Sequence, residues 1–278
     1  MTRILHLSDP HFGAADPAVA EKFIARAAEL GPALTLISGD LTMRARRSEL
    51  AAARDFANRL PRPLMVIPGN HDIPAMNQPI DRFFRPFHRY RDSFGRELEP
   101  ERIDRGIHVV AMNSNRAFGF HADWSEGRVS GESLARADRR FAARSAEFRI
   151  LMLHHPLIAP PEYGRDVVKP LPALLSMIGG RQVDLVLCGH FHRSHLAALP
   201  AGPWSCVVSQ ASTVCSTRLQ GEPQGFHVID RSGDQLEITR HRFRGTDFVE
   251  GESFRYVRGT AGWDPADARS RQESDRIP

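Results

Sequence analysis

Three short apolar runs in the first seventy residues each stop at a polar tip, and this repetition limits what the chain can fold into. Residues 3–8 lead to Asp9-Pro10-His11, residues 33–38 to Gly39-Asp40, and residues 64–67 to Pro68-Gly69-Asn70-His71-Asp72. Short apolar runs rich in branched side chains read as buried strands. Between them, residues 18–30 and 48–60 carry apolar side chains at helical spacing, the first opened by Asp16-Pro17 and the second closed by Pro61. Strand and helix alternating in this way build a parallel sheet. Such sheets hold ligands beyond the carboxyl ends of their strands, where Asp9, His11, Asp40, Asn70 and His71 all fall.

The residue types at these tips suit a metal. Asp9 and His11 are two apart and share one face of an extended chain. A carboxylate beside an imidazole is half of a site for Zn, Mn or Fe. Gly69 lets the backbone turn sharply. A carboxamide, an imidazole and a carboxylate on consecutive residues can serve one centre only from a bent loop, because neighbours on an extended chain point opposite ways. Asn70 is then a neutral oxygen donor, with His71 beside it to give a proton or a hydrogen bond. Each tip alone would pass as a polar turn; their meeting at one sheet edge favours a shared site.

The pattern continues. Residues 107–112 form a strand followed by Asn113-Ser114-Asn115-Arg116, and residues 131–145 a helix. The strand at 149–153 ends in His154-His155-Pro156, and that at 183–188 in Gly189-His190-Phe191-His192, where alternation puts His190 and His192 on one face. A short helix is expected at 171–178, a specificity loop at the proline-rich 160–172, and strands at 204–209, 225–230 and 235–243. Residues 73–105 read as a cap-like insertion of short helices over the site opening. Within it, 80–94 is dense in Phe and Arg, expected as inward aromatics and solvated arginines, or alternatively as a wall for an anionic or amphipathic substrate. Residues 1–258 are thus expected as one domain and 259–278, polar and poor in apolar anchors, as a mobile tail.

Composition narrows the function classes. Of 278 residues, 41% are hydrophobic and 25% charged, as in an ordinary soluble globule. A net charge of +4 is too slight to argue for a stable nucleic-acid partner. Three cysteines, Cys188, Cys206 and Cys215, give no disulfide framework and suit the reducing cytoplasm. No secretion signal opens the sequence, and no run approaches the roughly 20 apolar residues of a membrane span; peripheral membrane contact stays open.

In order, the tips read D-x-H, G-D, G-N-H-D, H-H-P and G-H-F-H. From residue 3 to about 195 this series resembles the calcineurin-like metallophosphoesterases, above all the bacterial branch with class III cyclic-nucleotide phosphodiesterases and glycerophosphodiesterases. The resemblance implies an α/β fold, a four-layer α-β-β-α sandwich of two mixed sheets. It implies two metal ions: one held by Asp9, His11, Asp40 and His192, the other by Asp40, Asn70, His154 and His190, with Asp40 bridging. His155 is not a ligand in this pattern. Manganese or an iron-containing pair is implied, and zinc stays open because imidazole and carboxylate suit all three. Two cations about 3.5–4 Å apart bind both phosphate oxygens and provide a bridging hydroxide as nucleophile.

His71 is implied to be catalytic, stabilising the phosphate oxygens or protonating the leaving alkoxide. Asp72 would orient it or, the better reading, tie down the loop. Asn70 and His71 would touch substrate, and Arg44 and Arg116 are candidates for a bidentate phosphate contact, against the plainer reading of exposed, uninvolved arginines. The implied activity is a metal-dependent phosphodiesterase acting on a small-molecule phosphoester, first of all a 3′,5′-cyclic nucleotide. A pyrophosphatase on a lipid-linked nucleotide such as UDP-diacylglucosamine is the alternative. A non-catalytic scaffold of this fold is disfavoured because no ligand is missing. A homodimer is compatible with the resemblance.

Overall fold

The ladder begins with β1 (Thr2–Leu7), β2 (Leu34–Ile37) and β3 (Leu64–Val66), three parallel strands connected by α1 (Pro17–Leu30) and α2 (Arg47–Asn58). The computed structural model describes residues 1–117, 125–159 and 167–274. Helix α1 starts where its chemistry requires: the Asp16 carboxylate accepts from the backbone of Ala18 and Val19, and Pro17 fills the first helical position. Gly31, at φ 54°, ends it in the left-handed region. Its buried face, centred on Phe23, meets Phe56 of α2.

β10 (Gly225–Ser232), β11 (Gln235–Arg244) and β12 (Asp247–Gly259) extend this half of the sheet antiparallel from β1. The other half has four parallel strands, β5 (Ile107–Ala111), β6 (Phe148–Met152), β7 (Leu185–Cys188) and β9 (Trp204–Gln210). It is flanked by antiparallel β4 (Glu101–Asp104) and β8 (His195–Ala201), with α5 (Gly131–Ala143) and α6 (Leu171–Gly180) in its connections. Both halves are therefore mixed.

They are also joined. β13 (Gly262–Pro265) pairs antiparallel with β12 and, through Gly262 and Ser205, parallel with β9, so hydrogen bonding runs through one 13-stranded sheet. The sheet curls so that its halves pack face to face. One buried cluster unites Ile4, Leu36 and Ile238 of the first half with Ile150, Leu187 and Val208 of the second. Leu5, Leu7 and Ile37 point the other way, into a cluster with Phe23 and Phe56, as the two-residue period of a strand demands. The result is the expected layered sandwich, its two sheets merged at one edge.

The expected mobile tail is corrected for residues 259–274. Trp263 is fully buried and its indole donates to Asp184 Oδ1 at 2.9 Å. Helix α7 (Ala268–Ser274) docks on β8: Ser274 Oγ accepts from the backbone of Ala198 at 3.0 Å, and Glu273 pairs with Arg240 at 2.5 Å. The segment looked unanchored because its anchors are mostly polar. In the insertion, α3 (Pro79–Phe84) and α4 (His88–Phe94) do form, and α4 packs on α2. Tyr90 is buried and its hydroxyl donates to Val66 O, whereas Ile80 and Phe84 are 67% and 81% exposed, so the aromatics divide between inside and outside. Residues 160–166 of the proline-rich loop lie outside the described residues.

Candidate metal centre

The strand tips reach the site through strained backbone. Asp9, His11, Asp40, His190 and His192 all have positive φ, from 48° to 74°, where non-glycine residues cost energy. Gly69 is required for another reason: a Cβ there would strike the Asp40 nitrogen and carboxylate. Gly189 is packed in the same way against Ser8 and the Asp9 carboxylate.

These turns bring the expected ligands together. One donor atom each from Asp9, His11, Asp40 and His192 lies within 4.8 Å of the others. His11 Nε2 is 3.7 Å from Asp9 Oδ1 and 3.5 Å from Asp40 Oδ2, and 2.9 Å from His192 Nε2. On the other side of Asp40, His154 Nε2 lies 3.4 Å from Oδ1 and 3.0 Å from Asn70 Oδ1. His190 Nδ1 lies 3.1 Å from the same Asn70 oxygen and 3.3 Å from His154 Nε2. The two Asp40 oxygens thus face two separate histidine groups.

The donor set fits bound cations. His11, His154 and His192 each place Nδ1 against a backbone carbonyl, of Thr42, Ser38 and Arg218, at 3.2, 2.9 and 2.7 Å. With the proton on Nδ1, each Nε2 presents a lone pair inward. There the lone pairs meet carboxylate oxygens, the Asn70 oxygen and one another, an arrangement of acceptors that only positive charge reconciles. Asp9 Oδ1 is fully buried without a hydrogen-bond donor. Burial opposes the Asp40 anion, yet the surrounding His154, His71 and His11 hold its pKa well below the ordinary value. Burial likewise opposes charge on His154, but Asp40 and Asp9 carry its pKa up to about 9. The carboxylates therefore draw positive charge to this point.

His155 also lies close, with its ring centroid 4.5 Å from that of His190. Both of its nitrogens are engaged, by Ser114 Oγ at 2.8 Å and Ser125 O at 2.9 Å. It buttresses the rings of His154 and His190 beside it.

His71 stands next to the cluster, its ring edge-on to His11 with centroids 4.8 Å apart. Its backbone N–H donates to Asp40 Oδ1 at 2.9 Å, and its Nδ1 meets Met43 O at 2.8 Å. Asp72 accepts from the N–H groups of Gly69, Leu41 and Thr42 and from the Thr42 hydroxyl, at 2.8–3.1 Å. Its carboxylate ties the Asp40 loop to the Asn70 loop and makes none of these bonds to the His71 ring. Arg44 is exposed, and Arg116 pairs with Glu126 at 3.6 Å; among the described residues neither guanidinium hydrogen-bonds to a ligand. Sequence reasoning passed over Arg218. Its Nη1 lies 3.4 Å from His71 Nε2, and its carbonyl is the one that holds His192. A single arginine in a Ser/Thr-rich loop offers no spacing that would mark it.

Comparison with known proteins agrees with this geometry. A family model described as calcineurin-like phosphoesterase matches residues 2–194. A probable cyclic nucleotide phosphodiesterase of Synechococcus is 30% identical over 171 residues, 59% of this chain and 60% of that protein, so less than two thirds of the relative is spanned. Among solved structures, PhoD aligns with a TM-score of 0.73 over 96% of this chain and 71% of its own, at 10% identity. The purple acid phosphatase PPD1 of yellow lupin aligns at 0.67 over 100% of this chain and 56% of its own, again at 10% identity. These two likenesses concern the fold alone.

Proposed function

Since the chain belongs to the calcineurin-like phosphoesterase family, we propose that it is a metal-dependent phosphodiesterase acting on a nucleotide phosphodiester, first of all a 3′,5′-cyclic nucleotide. The observation that carries the reading is the Asp40 carboxylate, with one oxygen toward His11 and the other toward His154. In this reading Asp9, His11, Asp40 and His192 hold one ion, and Asp40, Asn70, His154 and His190 hold a second, manganese or iron in either place. Bound there, the ions supply Lewis acidity and an activated water.

The chain's own groups do the rest. Asn70 and His71 meet the phosphate. Met43 O fixes the His71 ring through Nδ1, so that in the imidazolium form Nε2–H can pass a proton to the leaving oxygen. The Arg218 guanidinium beside it adds fixed positive charge where negative charge develops. Arg44, on the loop after Asp40, and Arg116 are the further candidates for the phosphate. The name of the Synechococcus relative supports the cyclic-nucleotide substrate. Buried free Cys188, Cys206 and Cys215 support work in the cytoplasm, and among the described residues no helix is long and apolar enough to cross a membrane.

The test is turnover of bis-p-nitrophenyl phosphate and then of a panel of cyclic and linear nucleotide diesters by manganese-loaded protein, with His71→Ala as control. Protein shown to hold two metals per chain that cleaves none of them would overturn the reading.

A further inference from the structure

Beyond the metal ligands, the Asn113–Arg116 tip opens on a cavity of about 600 Å³, ample for a nucleotide-sized group. Its acids are already answered. Glu99 takes Arg136, the Ser133 hydroxyl and the Asn113 N–H. Glu97 pairs with Arg140 at 3.0 Å, and Glu132 with Arg136 at 2.6 Å. Arg91, Arg96 and Arg128 also line the cavity, and their guanidinium groups have no hydrogen-bonding or acidic partner among the described residues. Three unneutralised guanidinium groups at one cavity leave a net positive wall suited to a phosphate.

The same cavity is tied to the catalytic loop. Asn115, 92% buried by its 8% exposure, donates from Nδ2 to Pro68 O at 2.7 Å and to Asn113 Oδ1 at 2.9 Å. These bonds fix which end of its amide is oxygen. That oxygen, Oδ1, is buried and has no donor. Through Asn115 the cavity adjoins the Pro68–Asn70 tip, with the unpaired cations farther along its wall.

We propose that this cavity is a second anion subsite, which extends the substrates beyond simple cyclic nucleotides to phosphodiesters carrying a second phosphate on the part of the molecule that is not cleaved, and favours these over the same diesters without it. The second phosphate would lie among Arg91, Arg96 and Arg128. The proposal rests on the phosphodiesterase reading of the metal centre and adds its substrate class. A simple cyclic nucleotide, with its one phosphate at the metals, would leave this wall unused.

The experiment compares kcat/KM of manganese-loaded protein on a linear dinucleotide with and without a terminal 5′-phosphate. Bis-p-nitrophenyl phosphate is run in parallel. A second pair, a glycerol-based phosphodiester with and without an added phosphate, separates a nucleotide source of the anion from a lipid-headgroup source. The expected result is a preference of about tenfold or more for a phosphorylated member, collapsing towards one in the Arg91→Gln/Arg128→Gln variant. Arg96→Gln alone gives a partial loss, a second reading should the double variant fold poorly. Turnover of bis-p-nitrophenyl phosphate with no preference in either pair overturns the subsite and leaves the phosphodiesterase reading intact. No turnover of any diester overturns both.

Discussion

Arg218 Nη1 stands 3.4 Å from His71 Nε2, while the Arg218 carbonyl accepts from His192 Nδ1 at 2.7 Å. One residue therefore serves the site twice, and only the guanidinium is lost on substitution. Arg218→Ala should lower kcat on a diester by about 10–100-fold, with Arg218→Lys recovering part of it. His71→Ala should cost about 10²–10⁴-fold. Both variants should keep the metal content of the parent, because no ligand is removed. Steady-state kinetics with elemental analysis on the same samples decides the matter; loss of metal from Arg218→Ala would mean that its side chain positions ligands.

Gly69 offers a probe that leaves every ligand in place. A methyl group there overlaps the Asp40 backbone and carboxylate, so Gly69→Ala should push the two loops apart. Metal content below one ion per chain and a lowered melting temperature are expected. Gly131, whose added Cβ would meet nothing, is the matching control.

Asp72 tests the loop tie. Asp72→Ala strands three backbone N–H groups and one hydroxyl that now share its carboxylate. With Asp72 wholly buried, a loss of roughly 2–4 kcal/mol is expected from unsatisfied donors. Urea titration would measure it, and a shift under about 0.5 kcal/mol, the scale of a surface change, would show that the loops close without the carboxylate.

The docking of α7 carries a pH signature. Burial alone would raise the Glu273 pKa, but His195 and Arg240 overcome it and hold the group at about 2 against an ordinary 4.5. A depressed carboxylate stabilises the folded state above its unfolded pKa, and the benefit fades as pH falls from 4.5 towards 2. Fluorescence of Trp263, on the strand just before this helix, should report loosening across that interval. Glu273→Gln should remove that dependence; an unchanged acid profile in the variant would assign the transition to another group.

The candidate donor set was legible because each member ends a strand whose apolar run is unmistakable, and because a metal needs particular donor types. Asp9, His11, Asp40, Asn70, His154, His190 and His192 were all named from such tips, and the structure gathers them. Arg218 was not, since its contact with His71 comes from a loop closed by strands nearly 150 positions away in sequence. The α7 segment failed for a related reason. Glu273 and Ser274 look like solvated residues until β8 and β11 supply Arg240, His195 and the Ala198 N–H. The joining of the two sheets was equally hidden, because it depends on the single Gly262–Ser205 pairing.

Asp9, Asp40 and Asn70 follow strands of one half of the sheet, and His154 and His190 follow strands of the other. An ion gripped by both would act as a clasp across the fold, and its binding energy would count toward keeping the halves closed. Chelation should then quicken amide exchange in β1, β2, β6 and β7 together, although these strands belong to different halves of the sheet.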